Sequence, residues 1–159
     1  MRKFGRSLTG RSQSPRADCL SSAADPFNRI DAAVGPTHGR LMTDAWKSYP
    51  GAPQEGVVIC DLAQAAEDGT TCLEVDGFPI LLLRHGGELR AFVNACPHQY
   101  LPLDHKSERL VSADGTRIRC SNHSAGFDAQ TGEGVEGLGL GACLDPVPVS
   151  ISRGQVIIG

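Results

Sequence analysis

Short apolar segments separated by turn residues run along most of the chain from residue 57 onward. Eight of them have the length and apolar content of β-strands: 57–60, 71–75, 78–84, 88–94, 110–111, 116–119, 147–152 and 155–158. Asp76-Gly77 and Arg153-Gly154 are two-residue connections of the kind that favours tight hairpins, and Gly86-Gly87 forms a third turn. The pattern predicts an all-β domain, a small antiparallel β-barrel or sandwich built from consecutive hairpins.

Two connections lack this pattern. The polar segment 61–69 is predicted to hold one helical turn. Segment 132–141 contains five glycines and is predicted to be a flexible cover over a site formed by the neighbouring residues. Cys60 and Cys72 fall inside predicted strands and are expected to be small buried hydrophobic side chains.

Charge divides the chain into two parts. Residues 1–40 carry seven basic and three acidic side chains, whereas residues 41–159 carry eight basic and fifteen acidic ones. The first part is rich in Ser, Arg, Gly and Pro and has no periodic apolar pattern, which is typical of disordered segments. We therefore expect residues 1–41 to be a basic extension outside the fold and residues 42–159 to form one domain, with Met42 as an alternative start.

Two short cysteine–histidine pairs carry the candidate chemistry. Twenty-one residues separate the first pair, Cys96-Pro97-His98, from the second, Cys120-Ser121-Asn122-His123. Two thiolates and two imidazoles suit a [2Fe–2S] cluster with two cysteines on one iron and two histidines on the other. The same four ligands would also suit a tetrahedral zinc site. The ligand types alone leave both readings open.

The residues around the pairs resemble the two cluster-binding loops of Rieske proteins. The first loop corresponds to residues 96–103, and the second to residues 120–128 followed by Thr131-Gly132. The resemblance implies the Rieske fold with both loops at one end and a single [2Fe–2S] cluster. It further implies that Cys96 and Cys120 hold one iron, while His98 and His123 hold the other, exposed iron.

Departures from the high-potential branch of that family indicate which branch the chain resembles. The high-potential proteins have a disulfide beside the cluster, but the corresponding positions here are Leu101 and Asn122. Their hydroxyl donors toward the cluster sulfurs correspond to Ala125 and Phe127, which have no donor. Fewer such hydrogen bonds imply a lower reduction potential. The chain thus resembles the ferredoxin-like branch that serves oxygenases, although Tyr100 replaces a glycine found in many relatives.

The resemblance implies a single-electron carrier. Its expected partners are a flavin-containing reductase and a terminal non-haem iron oxygenase. A permanent small subunit of a larger oxidoreductase is one alternative, and a zinc-stabilised binding module is another. The sequence has no glycine fingerprint for dinucleotides, no phosphate loop and no second metal-ligand constellation, so we expect no substrate-binding catalytic site. We also expect a monomeric, cytoplasmic protein without nucleic-acid or membrane partners, since no export signal or apolar span is recognisable.

Overall fold

The computed structural model describes residues 44–159, which contain nine β-strands, two short 3-10 helices and no α-helix. The strands are β1 (Val58–Asp61), β2 (Gly69–Val75), β3 (Phe78–His85), β4 (Glu88–Val93), β5 (Arg117–Arg119), β6 (Ala125–Asp128), β7 (Gly134–Gly137), β8 (Val149–Ser152) and β9 (Gln155–Ile158). The 3-10 helices are Ala45–Ser48 and Leu62–Gln64, and the second is the helical turn expected between β1 and β2. Neither helix is long enough to cross a lipid bilayer.

The strands form three antiparallel sheets of three strands each, in the orders β1-β9-β8, β2-β3-β4 and β5-β6-β7. Strand β4 is joined to the segment that precedes β8, because Val93 N donates to Asp145 O at 2.9 Å and Val147 N donates to Ala91 O at 2.9 Å. The prediction of an all-β, antiparallel domain is confirmed. Residues 1–43, which include the whole expected extension and Met42, lie outside the described residues.

Tight hairpins lie where the turn residues predicted them. Val75 pairs with Phe78 across Asp76-Gly77, and both turn residues have positive φ, 51° and 83°. Ser152 pairs with Gln155 across the equivalent turn, where the φ values are 51° and 78°. Two consecutive positive φ values define the turn type whose twist matches that of paired strands.

Strand β3 connects two hydrophobic cores, because successive side chains of a strand point to opposite faces. Ile80 and Leu82 lie in the first core, whereas Leu81 and Leu83 lie in the second. The first core is completed by residues of the first two sheets and by Trp46. The second contains Phe92, Leu103, Leu110, Ile118, Phe127, Leu144 and the two candidate ligands Cys96 and Cys120. The second core is therefore the base on which the candidate site is built.

Two strands were not predicted from the sequence. Strand β6 continues from the second ligand loop, and β7 lies inside the glycine-rich segment that was predicted to be a flexible cover. That prediction is wrong for residues 134–137, since they pair with β6. A Cβ atom on Gly134 would overlap the Gly139 carbonyl oxygen, and one on Gly137 would overlap that of Ser124. These glycines are therefore needed for close contact between backbones.

The predicted 110–111/116–119 hairpin is smaller than expected. Only Val111 and Ile118 form a bridge there, and the short strand β5 pairs mainly with β6. The region still delivers Cys120 to the site, directly after the last residue of β5.

Candidate metal centre

The first ligand loop begins three residues after β4 and turns tightly around the carbonyl of Cys96. That carbonyl oxygen accepts hydrogen bonds from Gln99 N at 3.1 Å and Tyr100 N at 2.6 Å. Cys96 N in turn donates to Leu101 O at 2.8 Å, which closes the loop. The result is that Cys96 is fully buried in the second core, while His98 is exposed.

Tyr100 completes this turn in the left-handed region, with φ of 56°. Residues with a Cβ atom rarely adopt this conformation, and glycine adopts it freely. The glycine that many Rieske proteins have at this position is consistent with the observed backbone. The Tyr100 side chain is 70% exposed, so little packing offsets the backbone strain.

The second ligand loop connects β5 to β6. Cys120 N donates to Ala125 O at 2.9 Å, and Ala125 N donates to His123 O at 2.8 Å. Cys120 is only 6% exposed and joins Cys96 in the second core, whereas His123 is half-buried. Each loop thus buries its cysteine and presents its histidine further outward.

The two loops bring their candidate ligands together. Ligand atoms of Cys96, Cys120 and His123 lie within 4.8 Å of one another. His123 Nδ1 lies 3.5 Å from Cys120 Sγ, so this nitrogen faces the thiols. The rings of His98 and His123 meet edge to face, with centroids 4.8 Å apart and an interplanar angle of 80°. His98 therefore adjoins the three-residue group through His123, although its own ring nitrogens lie outside that group.

The shifted pKa values of the site favour a neutral imidazole at His123 but oppose ionisation of the Cys96 thiol. Burial raises the pKa of the Cys96 thiol and the neighbouring Cys120 raises it further, while the backbone N–H groups of His98 and Gln99 oppose this. Loss of hydration lowers the pKa of His123, and the charges of His98 and Lys106 lower it further. A neutral imidazole can donate its lone pair, and a bound cation would displace the thiol protons.

Polar residues around the site were missed by the sequence analysis. Gln99 Oε1 and Asn122 Nδ2 each lie 2.8 Å from His123 Nε2, the ring nitrogen turned away from the thiols. Asn94 is buried at the end of β4 and hydrogen-bonds to Leu103 and Asp104. The only available signal for Asn94 was a polar residue that directly follows the three apolar residues at the end of β4.

The donor set fits the group that the motif implies. Two buried thiols lie side by side and two imidazoles adjoin them toward solvent, which matches two irons with different ligand pairs. Ala125 and Phe127 lie in the same core as the two cysteines and are buried, so neither position offers a hydroxyl donor.

Comparison with protein families decides between iron–sulfur and zinc. Residues 55–142, more than half of the chain, match the Rieske [2Fe-2S] domain. The chain belongs to the Rieske [2Fe-2S] domain family. A Rieske domain binds a [2Fe–2S] cluster, and Cys96, Cys120 and His123 are positioned as potential ligands.

Individual relatives include ferredoxins of oxygenase systems. The chain is 29% identical over 113 residues to the ferredoxin component of the alkene monooxygenase system of Xanthobacter autotrophicus, covering 69% of this chain and 88% of that protein. Its fold is similar to the ferredoxin of carbazole 1,9a-dioxygenase from Nocardioides aromaticivorans (TM-score 0.57, 23% identity), covering 67% of this chain and 98% of that one. A further match is a structure of the complex of reduced oxygenase and oxidised ferredoxin in carbazole 1,9a-dioxygenase (TM-score 0.56, 20% identity), covering 67% of this chain and 94% of that one.

Proposed function

We propose that this protein is a one-electron carrier that passes electrons from a flavin-containing reductase to a terminal non-haem iron oxygenase. The observation that carries the proposal is the arrangement of the ligands, with two cysteines buried in the second core and two histidines in edge-to-face contact toward solvent. When bound, a Rieske cluster accepts and releases a single electron. In this assignment Cys96 and Cys120 hold the inner iron, and His98 and His123 hold the outer one.

Different residues of the chain would serve different parts of electron transfer in such a carrier. The second core fixes the two thiolates and excludes water from them, because Cys96 is fully buried and Cys120 almost so. His98 is exposed and gives a partner direct access to the outer ligand pair. The loop tip next to it carries the exposed Tyr100, which a docked partner would contact first. Redox encounters of this kind bury little surface and are short-lived.

The relatives of this chain and the charge of its residues 41–159 support the proposed partners. Two of the relatives are ferredoxins of a monooxygenase and a dioxygenase system, which supports an oxygenase as acceptor. Residues 41–159 carry fifteen acidic and eight basic side chains, so a partner with a basic docking surface would associate faster at low ionic strength. We expect the rate of reduction by the reductase to fall as salt is raised from 50 to about 300 mM, and a salt-independent rate would contradict this steering.

We assign residues 42–159 to the Rieske domain, residues 1–41 to an extension outside it, and the protein to the cytoplasm as a monomer. If the protein were instead a permanent subunit of a larger oxidoreductase, it would co-purify with that enzyme in stable stoichiometry. A freely diffusing ferredoxin would elute alone.

The decisive experiment is low-temperature EPR of anaerobically purified, dithionite-reduced protein, with iron and acid-labile sulfide assayed on the same sample. We expect a rhombic signal with an average g value below that of the free electron, and about two irons and two sulfides per chain. A colourless, EPR-silent protein containing one zinc would contradict the proposal. His123→Ala should lose the signal, and full retention of iron and sulfide in that variant would contradict the ligand assignment.

A further inference from the structure

The two ligand loops are joined to each other by hydrogen bonds of Ser121. Ser121, which directly follows the ligand Cys120, donates its backbone N–H to Leu103 O at 2.8 Å. Its side-chain oxygen accepts a hydrogen bond from Lys106 N at 2.9 Å. One residue of the second loop thus forms two hydrogen bonds with the segment that ends the first loop.

The same end of the first loop is fixed from the central sheet by Asn94. Its Oδ1 accepts from Leu103 N at 2.9 Å, and its Nδ2 donates to Asp104 Oδ1 at 2.8 Å. Its backbone N–H donates to Pro79 O at 3.0 Å, which anchors Asn94 to the neighbouring strand β3. Asn94 is 6% exposed and Leu103 is fully buried, so water cannot easily replace these hydrogen bonds.

Together these contacts form a continuous connection, which we call the base clasp: Asn94, Leu103, Asp104, Lys106 and Ser121. It runs from β3 through Asn94 to Leu103 and then to Ser121, the residue next to Cys120. A second contact between the loops, from Gln99 to His123, lies at the exposed edge. The base clasp thus links the two cysteine-bearing loops to each other and to β3.

We propose that Asn94 and Ser121 are positioning residues that hold the two cysteine-bearing loops at the separation the cluster requires. The proposal rests on the proposed function, since it presupposes a bound cluster. Leu101 and Asn122 show that no disulfide can join the loops at the positions used by high-potential Rieske proteins. Hydrogen bonds of the base clasp serve this purpose here, and they act on the cluster only through the backbone that carries its ligands.

The chain offers a matched control for the role of Ser121. Ser112 Oγ also accepts a backbone N–H, that of Arg117 at 3.0 Å, but it lies in the turn that precedes β5 and not between the ligand loops. Ser121→Ala and Ser112→Ala therefore each remove a hydrogen bond that a serine oxygen accepts from a backbone N–H, and Ser112→Ala also removes the one that Ser112 Oγ donates to Asp114 Oδ1. Ser121→Thr keeps the hydroxyl and serves as the conservative variant, and Asn94→Ala removes the second part of the base clasp.

The experiment follows cluster release from the anaerobically purified full chain in excess iron chelator, by the decay of visible absorbance. EPR spectra and reduction potentials are recorded on the same samples. We expect Ser121→Ala to release its cluster about fivefold faster than wild type, the factor associated with one ordinary hydrogen bond. Asn94→Ala should release it at least about tenfold faster, because it leaves the buried Leu103 N–H unpaired. Both variants should show broadened or shifted g values, whereas Ser112→Ala and Ser121→Thr should match wild type.

Three outcomes would overturn the inference. If Ser121→Ala behaves like Ser112→Ala in release rate and EPR spectrum, the base clasp does not position the loops. If Ser121→Ala lowers the melting temperature while release rate and g values stay unchanged, Ser121 has only a general structural role. If Ser121→Thr is as defective as Ser121→Ala, the hydroxyl is not the responsible group. A wild-type protein that binds no iron and sulfide would instead refute the proposed function, which separates the two failures.

Discussion

Replacing Gly137 by alanine tests how tightly the glycine-rich segment packs against the second ligand loop. A Cβ atom at Gly137 would overlap the carbonyl oxygen of Ser124, the residue after His123. Gly137 pairs with Ala125 in the sheet, and Leu138 N donates to Ser124 O at 2.8 Å. The added methyl group must therefore push strand β7 away from the second ligand loop.

Gly86 is a matched control, because its backbone conformation is nearly the same. Its φ is 60° against 55° for Gly137, but a Cβ atom there would meet nothing within 4 Å. Placing an L-residue in the left-handed region destabilises the folded state by about 1–2 kcal/mol. Replacing glycine also lowers the conformational entropy of the unfolded chain, which offsets about 0.4–1 kcal/mol of that destabilisation. Gly86→Ala should therefore destabilise the domain by about 1 kcal/mol.

Gly137→Ala carries the same backbone cost and an additional steric one. Forcing an extra methyl group into a closely packed site typically costs about 1–3 kcal/mol, so the total should be about 2–4 kcal/mol. For a domain of this size, we expect apparent melting temperatures lower by about 4 °C for Gly86→Ala and about 10 °C for Gly137→Ala. The assay is melting of the cluster-loaded variants at one scan rate, with iron content measured beforehand.

The melting temperatures of the two glycine variants must differ if strand β7 packs against the second ligand loop as closely as the structure shows. Melting temperatures that agree within about 2 °C would mean that strand β7 moves aside at no cost. The glycine-rich segment would then be the flexible cover that its composition suggests. A Gly137→Ala protein that is also poor in iron would show that the position of Ser124 affects the adjacent ligand loop.

Three further predictions concern single positions. Tyr100→Gly should change the free energy of unfolding by less than about 1 kcal/mol. The relief of backbone strain at this left-handed position offsets the larger conformational entropy that glycine gives the unfolded chain. A decrease in the free energy of unfolding of more than about 2 kcal/mol, measured in urea, would show that the phenol ring is needed for packing. Cys72 should react with iodoacetamide at pH 8 at least tenfold more slowly in the folded protein than in urea. The reason is that burial and then the charge of Asp104 raise the pKa of its thiol. Equal alkylation rates, measured by mass spectrometry, would refute this. Ala125→Ser should raise the reduction potential by about 40 mV, if the new donor favours the reduced state by about 1 kcal/mol, while Ala91→Ser, at a buried position in the other core, should leave it unchanged.

Local sequence patterns were enough to predict most of the fold. The hairpin at Asp76-Gly77 depends on two adjacent residues that tolerate positive φ, and such a signal can be recognised without knowing the rest of the structure. The same holds for the two ligand pairs, since each lies within one loop. Strand β7 was missed because Gly134 and Gly137 supply no side chains, and strand prediction depends on alternating side chains.

Contacts between distant residues were the part that the sequence could not supply. Asn94 and Ser121 are separated by a whole ligand loop and a hairpin, and their shared contact with Leu103 exists only after the second core has formed. Cys72 was predicted to be a small buried hydrophobic residue, but it is only half-buried, and burial and then the charge of Asp104, a member of the base clasp, raise the pKa of its thiol. No periodicity or motif marks these pairings.

The two histidines of the site are less buried than its two cysteines. Cys96 and Cys120 belong to a core that strand β3 shares with the first core, so the position of the thiols is determined by the packing of the whole domain. His98 and His123 contact each other, and His123 also contacts Gln99, Asn122 and the Cys120 thiol. Under the proposed function this difference would keep the inner ligands fixed through many oxidation cycles while the outer pair would remain accessible to a redox partner. Substitutions in the second core should therefore affect cluster retention first, and substitutions around Gln99 should affect the rate of electron transfer first.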